Sequence, residues 1–525
     1  MKKTISILLL TLLLLCLLAG CGQKDGAGQV KLIEIPLTQE KYAFGVDRNQ
    51  PELLAQANDF ISQILSDGTL DTICDKYFGD GTPEPVYSAA LDPSKEQLVI
   101  ATNTPFEPFE YMQGEFYYGV DMEVAAAFAE YLGQELVIQN MEFSAVCLSV
   151  EQGKCDMAMA GLTVTEDRQK SVNFTNSYYE ASQVLVVPAG DDTFDGCATA
   201  GEVEAILKEK GASIAIGVQT GTTGQFYTEG DEDWGFEGFE AYCVGYKSGA
   251  LAVQNMLGGA VDYVILDKAP AERIVESFNG GDREGSGQSF SQKVESFVRI
   301  FLDEGGYKQV LKGLGNTAII AVVGLLIGVT IGTLIAAVGV VPKYKRLPRI
   351  LDGICKVYVG FFRGTPIVVQ LLLAYYVLLP ALGLQCSSLA VCIVVFGMNS
   401  GAYVSEIMRG GIASVDQGQL EAGRAVGLSF GSAMWKIVIP QAVKNILPTL
   451  GNEFISLIKE TSVVSFVGTL DIYVAFDRIG SNDYEYMVPY LAMAVIYILL
   501  VAVVSALVKW MERRLSRSDR HSASK

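Results

Sequence analysis

The longest apolar runs crowd into the last two-fifths of the chain. Five stand out, at roughly 316–341, 366–384, 388–405, 449–470 and 489–509. Each is long enough to cross the hydrocarbon layer of a bilayer as a helix. The fourth carries Glu453, Lys459 and Glu460. Such groups either face a bundle interior or pathway, or sit at the cytoplasmic end and snorkel. A shorter apolar run, Ile5 to Leu18, follows Lys2 and Lys3 and ends in Leu18-Ala19-Gly20-Cys21. A positive start, a short greasy stretch and small residues before a cut form an export signal. Cys21 is the expected lipid attachment point, with 1–20 as signal and 21–29 as a polar, Gly-rich tether. Between these ends, short β-branched runs such as Leu98-Val99-Ile100-Ala101-Thr102 alternate with helical stretches such as 119–128. That alternation predicts an α/β class for the middle of the chain.

Charge divides the chain in the same place. Gly306 to Lys525 holds 20 Lys and Arg against 12 Asp and Glu, a net of +8; residues 1–305 hold 19 and 47, a net of −28. The acidic half disfavours nucleic-acid binding, because it repels phosphate. Basic residues follow the first apolar run (Lys343, Lys345, Arg346, Arg349, Arg363), separate the third from the fourth (Arg409, Arg424, Lys436, Lys444) and follow the fifth (Lys509, Arg513, Arg514, Arg517, Arg520). The positive-inside rule makes these segments and the C-terminus cytoplasmic. Five spans then leave the acidic half outside, in agreement with the export signal. The only histidine is His521, so no Ser-His-Asp or Cys-His machinery and no His-rich metal site is expected. Cys74, Cys147, Cys155, Cys197 and Cys243 are odd in number and loosely spaced, which is no disulfide framework. A phosphate-cradling G-x-x-x-x-G-K-[ST] loop is missing: the one Gly-Lys, Gly153-Lys154, precedes Cys155. ATP, if used, is bound by another chain, and no cofactor is expected on this one.

The loop between the third and fourth runs carries Glu421-Ala422-Gly423, then Gly427, then Ile437-Val438-Ile439-Pro440. Gly427 permits a tight turn and Pro440 is expected to stop the second of two short helices. The spacing resembles the "EAA" loop of ABC importer permeases, through which a partner ATPase drives the membrane helices. Gly360-Phe361-Phe362-Arg363-Gly364-Thr365-Pro366 and Lys459-Glu460-Thr461-Ser462 narrow the resemblance to the polar-amino-acid permease family (histidine, glutamine, arginine and opine type). It covers about 305–515.

Residues 97–275 resemble the extracytoplasmic binding proteins of the same systems, most clearly in Ala160-Gly161-Leu162-Thr163-Val164-Thr165-Glu166-Asp167-Arg168. The resemblance implies a two-lobed, type II periplasmic-binding-protein-like α/β clamp over 30–300. It would be fused to an all-α, five-helix transmembrane domain. It also implies roles. Arg168 would fork onto a ligand carboxylate, aided by backbone N–H groups near Thr163 and Thr223. Asp267 would take the ammonium, helped by the Gly161 carbonyl and the Thr163 hydroxyl beside Ala160. Phe106 and Phe143 would sandwich the side chain, and Asn103 and Gln219 would read its head group. A neutral Asn103 favours a polar or neutral amino acid such as glutamine or cystine over arginine or lysine.

One departure concerns order. The text of residues 30–79, ending Asp67-Gly68-Thr69-Leu70 to Gly79, closes the family's binding domain but here opens it, while no such ending follows Asp267. This is read as a circular permutation, with 79–97 as the new linker; a remnant of a tandem domain or an exchange between chains are the competing readings. Lobe 1 would hold 42–79 and 97–184, and lobe 2 about 30–36 and 190–281. Crossings are expected near Pro36–Lys41 and Gln183–Pro188. Five spans are too few for a pathway, so two copies with two ATPase subunits are expected. A ligand-gated channel or sensor on the same clamp is the rival class, although no pore loop or filter is visible.

Overall fold

The computed structural model describes residues 29–92, 94–279, 290–340, 346–384 and 386–522, the last eight by their backbone alone. The signal, Cys21 and nearly all of the tether lie outside the described residues. The described residues divide into two compact units: 29–39 with 181–279, and Glu40–Glu180 with those from Phe290 on.

The first unit is built on a five-stranded sheet in the order Val30–Ile33, Gln183–Pro188, Tyr263–Asp267, Ala215–Gln219, Tyr242–Tyr246. The last three strands run parallel, whereas Gln183–Pro188 is antiparallel to both its neighbours. Val184 to Val187 and Val264 to Ile265 are wholly buried, as expected for strands covered by helices on both faces. The N-terminal strand pairs in the register Val30 with Pro188. The second crossing therefore departs from expectation. It falls between Glu180 and Ala181, and Gln183–Pro188 is a full strand of this unit, because its apolar run is bonded on both sides.

The second unit carries its own five-stranded sheet, ordered Glu135–Asn140, Gln97–Thr102, Met157–Ala158, Gly45–Asp47, Val172–Phe174. The short strand Gly45–Asp47 is interior and antiparallel to both neighbours. A segment from near the N-terminus thus supplies an interior strand to a sheet otherwise made of residues 97–174. Helices Pro51–Ser66 and Thr69–Phe78 follow it and pack on helix Val120–Leu132. There Phe60 meets Phe128 at 5.2 Å, and buried Glu123 accepts from the Tyr77 hydroxyl at 2.6 Å and pairs with Lys76 at 2.7 Å. The stretch from Gly79 to Gln97 is more than a linker. Val86 and Tyr117 exchange two backbone hydrogen bonds, and Ala89 N–H donates to the Leu136 carbonyl.

The same unit continues into the apolar helices. Among the described residues three are long and apolar enough to cross a membrane: Gly306–Val340, Ser388–Ala413 and the one beginning at Met487. Arg346–Gly364 and Ile367–Ala381 form a bent pair, turned by 111° at the Gly-Thr-Pro break. The run expected at 449–470 is not one span. Helix Ile439–Glu460 ends there, and the tight turns of Thr461–Val467 follow; the three charged residues lower its hydropathy. Helices Gly306–Val340 and Ser388–Ala413 interlock through small residues. A Cβ on Gly328 would lie 2.7 Å from Ser400 Oγ, one on Gly332 2.7 Å from Val404, and one on Gly397 2.6 Å from Ile327. Small residues at four-residue spacing let two helix backbones approach closely where no water drives association. Residues 97–174 share one apolar cluster with these helices. It joins Met141, Val146 and Val150 to Leu371, Tyr375 and Tyr376. The Gln309 amide donates to the Gly114 carbonyl, and the Lys154 ammonium sits 5.2 Å above the Tyr375 ring.

Candidate ligand site and helical hairpin

The candidate ligand residues fall into two sets, one in each unit. In the second unit they gather on the loop after strand Met157–Ala158. Thr165 caps the short helix Glu166–Ser171 through its hydroxyl, which accepts from Arg168 N–H at 2.9 Å. The cap sets the direction in which Arg168 leaves the helix. Its guanidinium donates to the Thr163 carbonyl at 2.8 Å and lies over the Phe143 ring at 5.2 Å from the centroid. A planar cation held at one edge and on one face is pre-organised for a carboxylate. Phe143, expected to sandwich a ligand side chain, has the arginine lying over its ring.

Gly161 has φ +52°, and a Cβ there would stand 2.4 Å from Phe106 Cε1. The phenyl ring lies directly on its backbone, which only glycine allows. Phe106 also contacts Tyr42 and Phe109, with ring centroids at 6.5 and 5.9 Å. Asn103 is buried and its amide donates to the Met141 carbonyl at 2.7 Å. Ala160 is buried beneath the loop.

Two residues that sequence reasoning did not single out hold this loop. Asp121, fully buried at the start of helix Val120–Leu132, accepts from Gly161 N–H at 2.9 Å and from the Tyr178 hydroxyl at 2.5 Å. Burial pushes its carboxyl up to about 7, against the opposing pull of those two donors. Glu40, on strand Glu40–Tyr42, accepts from the Thr163 hydroxyl at 2.7 Å. A carboxylate among Val120, Met122 and Val124 was the signal available for Asp121; Glu40 carried none.

In the first unit, Gln219 and Asp267 end the strands Ala215–Gln219 and Tyr263–Asp267, and Thr223 opens helix Thr223–Glu229. All three are buried at the carboxyl ends of parallel strands, the usual ligand side of such sheets.

The hairpin motif is a pair of helical arms. Glu421, Ala422 and Gly423 lie on helix Gln417–Ala425, and Gly427 makes the turn at φ +91°. Gly423 is buried, and a Cβ there would meet Ile437 Cδ1 at 2.7 Å. A glycine in the third position therefore lets the arms close. Pro440 does not stop a helix, contrary to expectation. The chain stays helical from Phe430 to Glu460, through a π-helical turn at Met434–Val438 that precedes Ile439 and Pro440. Wider turns of this kind accommodate a proline, which has no N–H to donate. Val426 and Trp435 are exposed by 80% and 72%.

Helices that cross a membrane, a glycine-hinged hairpin and two α/β sheets together define a membrane permease carrying its own binding-protein-like domain. Residues 313–517 match the family model described as "Binding-protein-dependent transport system inner membrane component". The arginine transport system permease protein ArtQ of Bacillus subtilis is 36% identical over 210 residues, covering 40% of this chain and 94% of that protein. The putative glutamine transport system permease protein GlnP of Rickettsia conorii is 34% identical over 226 residues, covering 43% and 98%. Among solved structures, a Gly52Ala mutant of arginine-bound ArgBP from T. maritima is 29% identical. It covers 34% of this chain and 77% of that one at a TM-score of 0.29. An overlap that partial carries no weight beside the sheet order itself. The chain belongs to the family of binding-protein-dependent transport system inner membrane components.

Proposed function

We propose that this chain captures a free amino acid outside the cell and passes it through its own membrane helices. A separate ATPase subunit acting on Glu421, Gly427 and the exposed hairpin around them would supply the energy. In this reading the chain is a transport subunit rather than an enzyme, works as two copies, and is anchored outside by a lipid on Cys21. The carrying observation is Arg168, fixed between the Thr163 carbonyl and the Phe143 ring. A half-buried carboxylate receptor held in this way fits the one group that every free amino acid shares. Asp267 is assigned the ammonium. Residues 30–79 are read as a permuted part of the binding domain, a reading supported by the interior position of strand Gly45–Asp47.

The amide of Asn103 favours a polar or neutral amino acid such as glutamine or cystine. Arginine is the second reading. It is favoured by the relative named as an arginine transport permease and by the buried carboxylate of Glu40. The test is thermal shift of the full chain against each proteinogenic amino acid plus cystine, ornithine and citrulline. The full chain is needed because residues 97–174 share their apolar core with the membrane helices. A ligand at a thousand times its Kd adds about 4 kcal/mol of stability. One or two hits, lost in Arg168→Ala and Asp267→Ala, are expected. A folded protein that responds to none of them overturns the amino-acid reading.

A further inference from the structure

Thr163 has a charged group on each side. Its carbonyl accepts from the Arg168 guanidinium at 2.8 Å and its hydroxyl donates to Glu40 Oε2 at 2.7 Å. Glu40 comes from a part of the chain 123 residues away. Backbone pairing puts it there: Val164 N–H donates to the Lys41 carbonyl and Ala43 N–H to the Leu162 carbonyl, both at 3.0 Å. Strand Glu40–Tyr42 therefore runs alongside the ligand loop in fixed register, and neither Glu40 nor Thr163 is more than 5% exposed.

A hydroxyl has one proton to donate and lone pairs to accept with. The Thr163 proton is committed to Glu40, so a ligand group that meets this oxygen must bring its own N–H or O–H. A buried carboxylate 2.7 Å away adds a negative potential at the same place, strengthened by the low local dielectric. We infer that Glu40 is a specificity-determining residue: it fixes the Thr163 hydroxyl as an acceptor and makes that side of the loop select a ligand ammonium. With Arg168 on the other side, the loop orients a zwitterion, carboxylate toward the guanidinium and ammonium toward the Thr163 oxygen that Glu40 holds as an acceptor. The assignment rests on the amino-acid reading above.

The test uses the full chain in nanodiscs and two pairs of probes. These are L-glutamine with 4-carbamoylbutanoate, and L-arginine with 5-guanidinopentanoate; in each pair the second compound lacks only the α-ammonium. The wild type is expected to prefer at least one amino acid strongly over its desamino partner. Glu40→Gln should reduce that preference by about tenfold, the worth of a charge-assisted hydrogen bond, while the desamino compound binds as well as before or better. Thr163→Val should do the same, and the double variant should lose little more than either single one. Equal weakening of both members of a pair by Glu40→Gln would make Glu40 merely structural and overturn the inference, with the amino-acid reading intact. A wild type that binds none of the four probes and no amino acid in the wider panel takes down both.

Discussion

Replacing Gly161 by alanine tests the packing of the ligand loop. Two penalties add. At φ +52° a side chain costs about 1–2 kcal/mol in the left-handed region. The new methyl would stand 2.4 Å from Phe106 Cε1, 2.9 Å from Cδ1 and 3.4 Å from Tyr42 Cε2. Relieving such overpacking costs about 1–3 kcal/mol. The sum is about 2–5 kcal/mol. The Phe106 ring is wedged between Tyr42 and Phe109, so the loop must move instead, taking Thr163 and Arg168 with it. Expected outcomes for the full chain are a thermal midpoint lower by several degrees and an amino-acid affinity weaker by about tenfold or more. The added variant Phe106→Ala separates the two penalties. It removes the clash and leaves the backbone strain, so Gly161→Ala should destabilise the Phe106→Ala background by only about 1–2 kcal/mol. If Gly161→Ala leaves both midpoint and affinity unchanged, the loop is not packed under Phe106 and the account of the site is wrong.

Asp121 makes a pH prediction. Its carboxyl is raised from 3.8 to about 7, so between those values the folded protein holds a proton that the unfolded chain releases. Stability from this group is present below about pH 4 and is lost as pH rises through 7, at up to about 1.4 kcal/mol per unit. The wild-type midpoint should therefore fall relative to Asp121→Asn from pH 5 to 7 and run parallel to it above 8; parallel curves throughout would refute the assignment. In the membrane helices, Gly328→Leu should collapse the yield of folded protein in detergent, because its Cβ site is 2.7 Å from Ser400 Oγ. Gly339→Leu, at a position with nothing within 4 Å, should not; equal behaviour of the two would show that the helices do not interlock there.

Some of this protein was legible in its sequence, because the signals were local. Hydropathy over twenty residues marks a helix that can cross a membrane, and spacing within one hairpin places Gly427 at the turn. The alternation of strands and helices in residues 97–275 follows from side-chain periodicity alone. Local patterns misled where neighbours decide. Pro440 has the chemistry of a helix terminator, yet a preceding wide turn absorbs it. The apolar run 183–188 looked like a crossing until strands on both sides claimed its hydrogen bonds.

The contacts that define the candidate site are the ones no local pattern contains. Asp121 and Gly161 are 40 residues apart, and Glu40 and Thr163 are 123 apart. Nothing in either segment announces its partner, since a carboxylate and a hydroxyl are equally at home in water. Backbone pairing of residues 41–43 with 162–164, next to the insertion of Gly45–Asp47 into a distant sheet, brings Glu40 to the loop. Composition and periodicity determined which elements form and which of them prefer lipid. Backbone hydrogen bonding between distant segments decided which charged and polar groups meet around the Gly161–Thr163 loop.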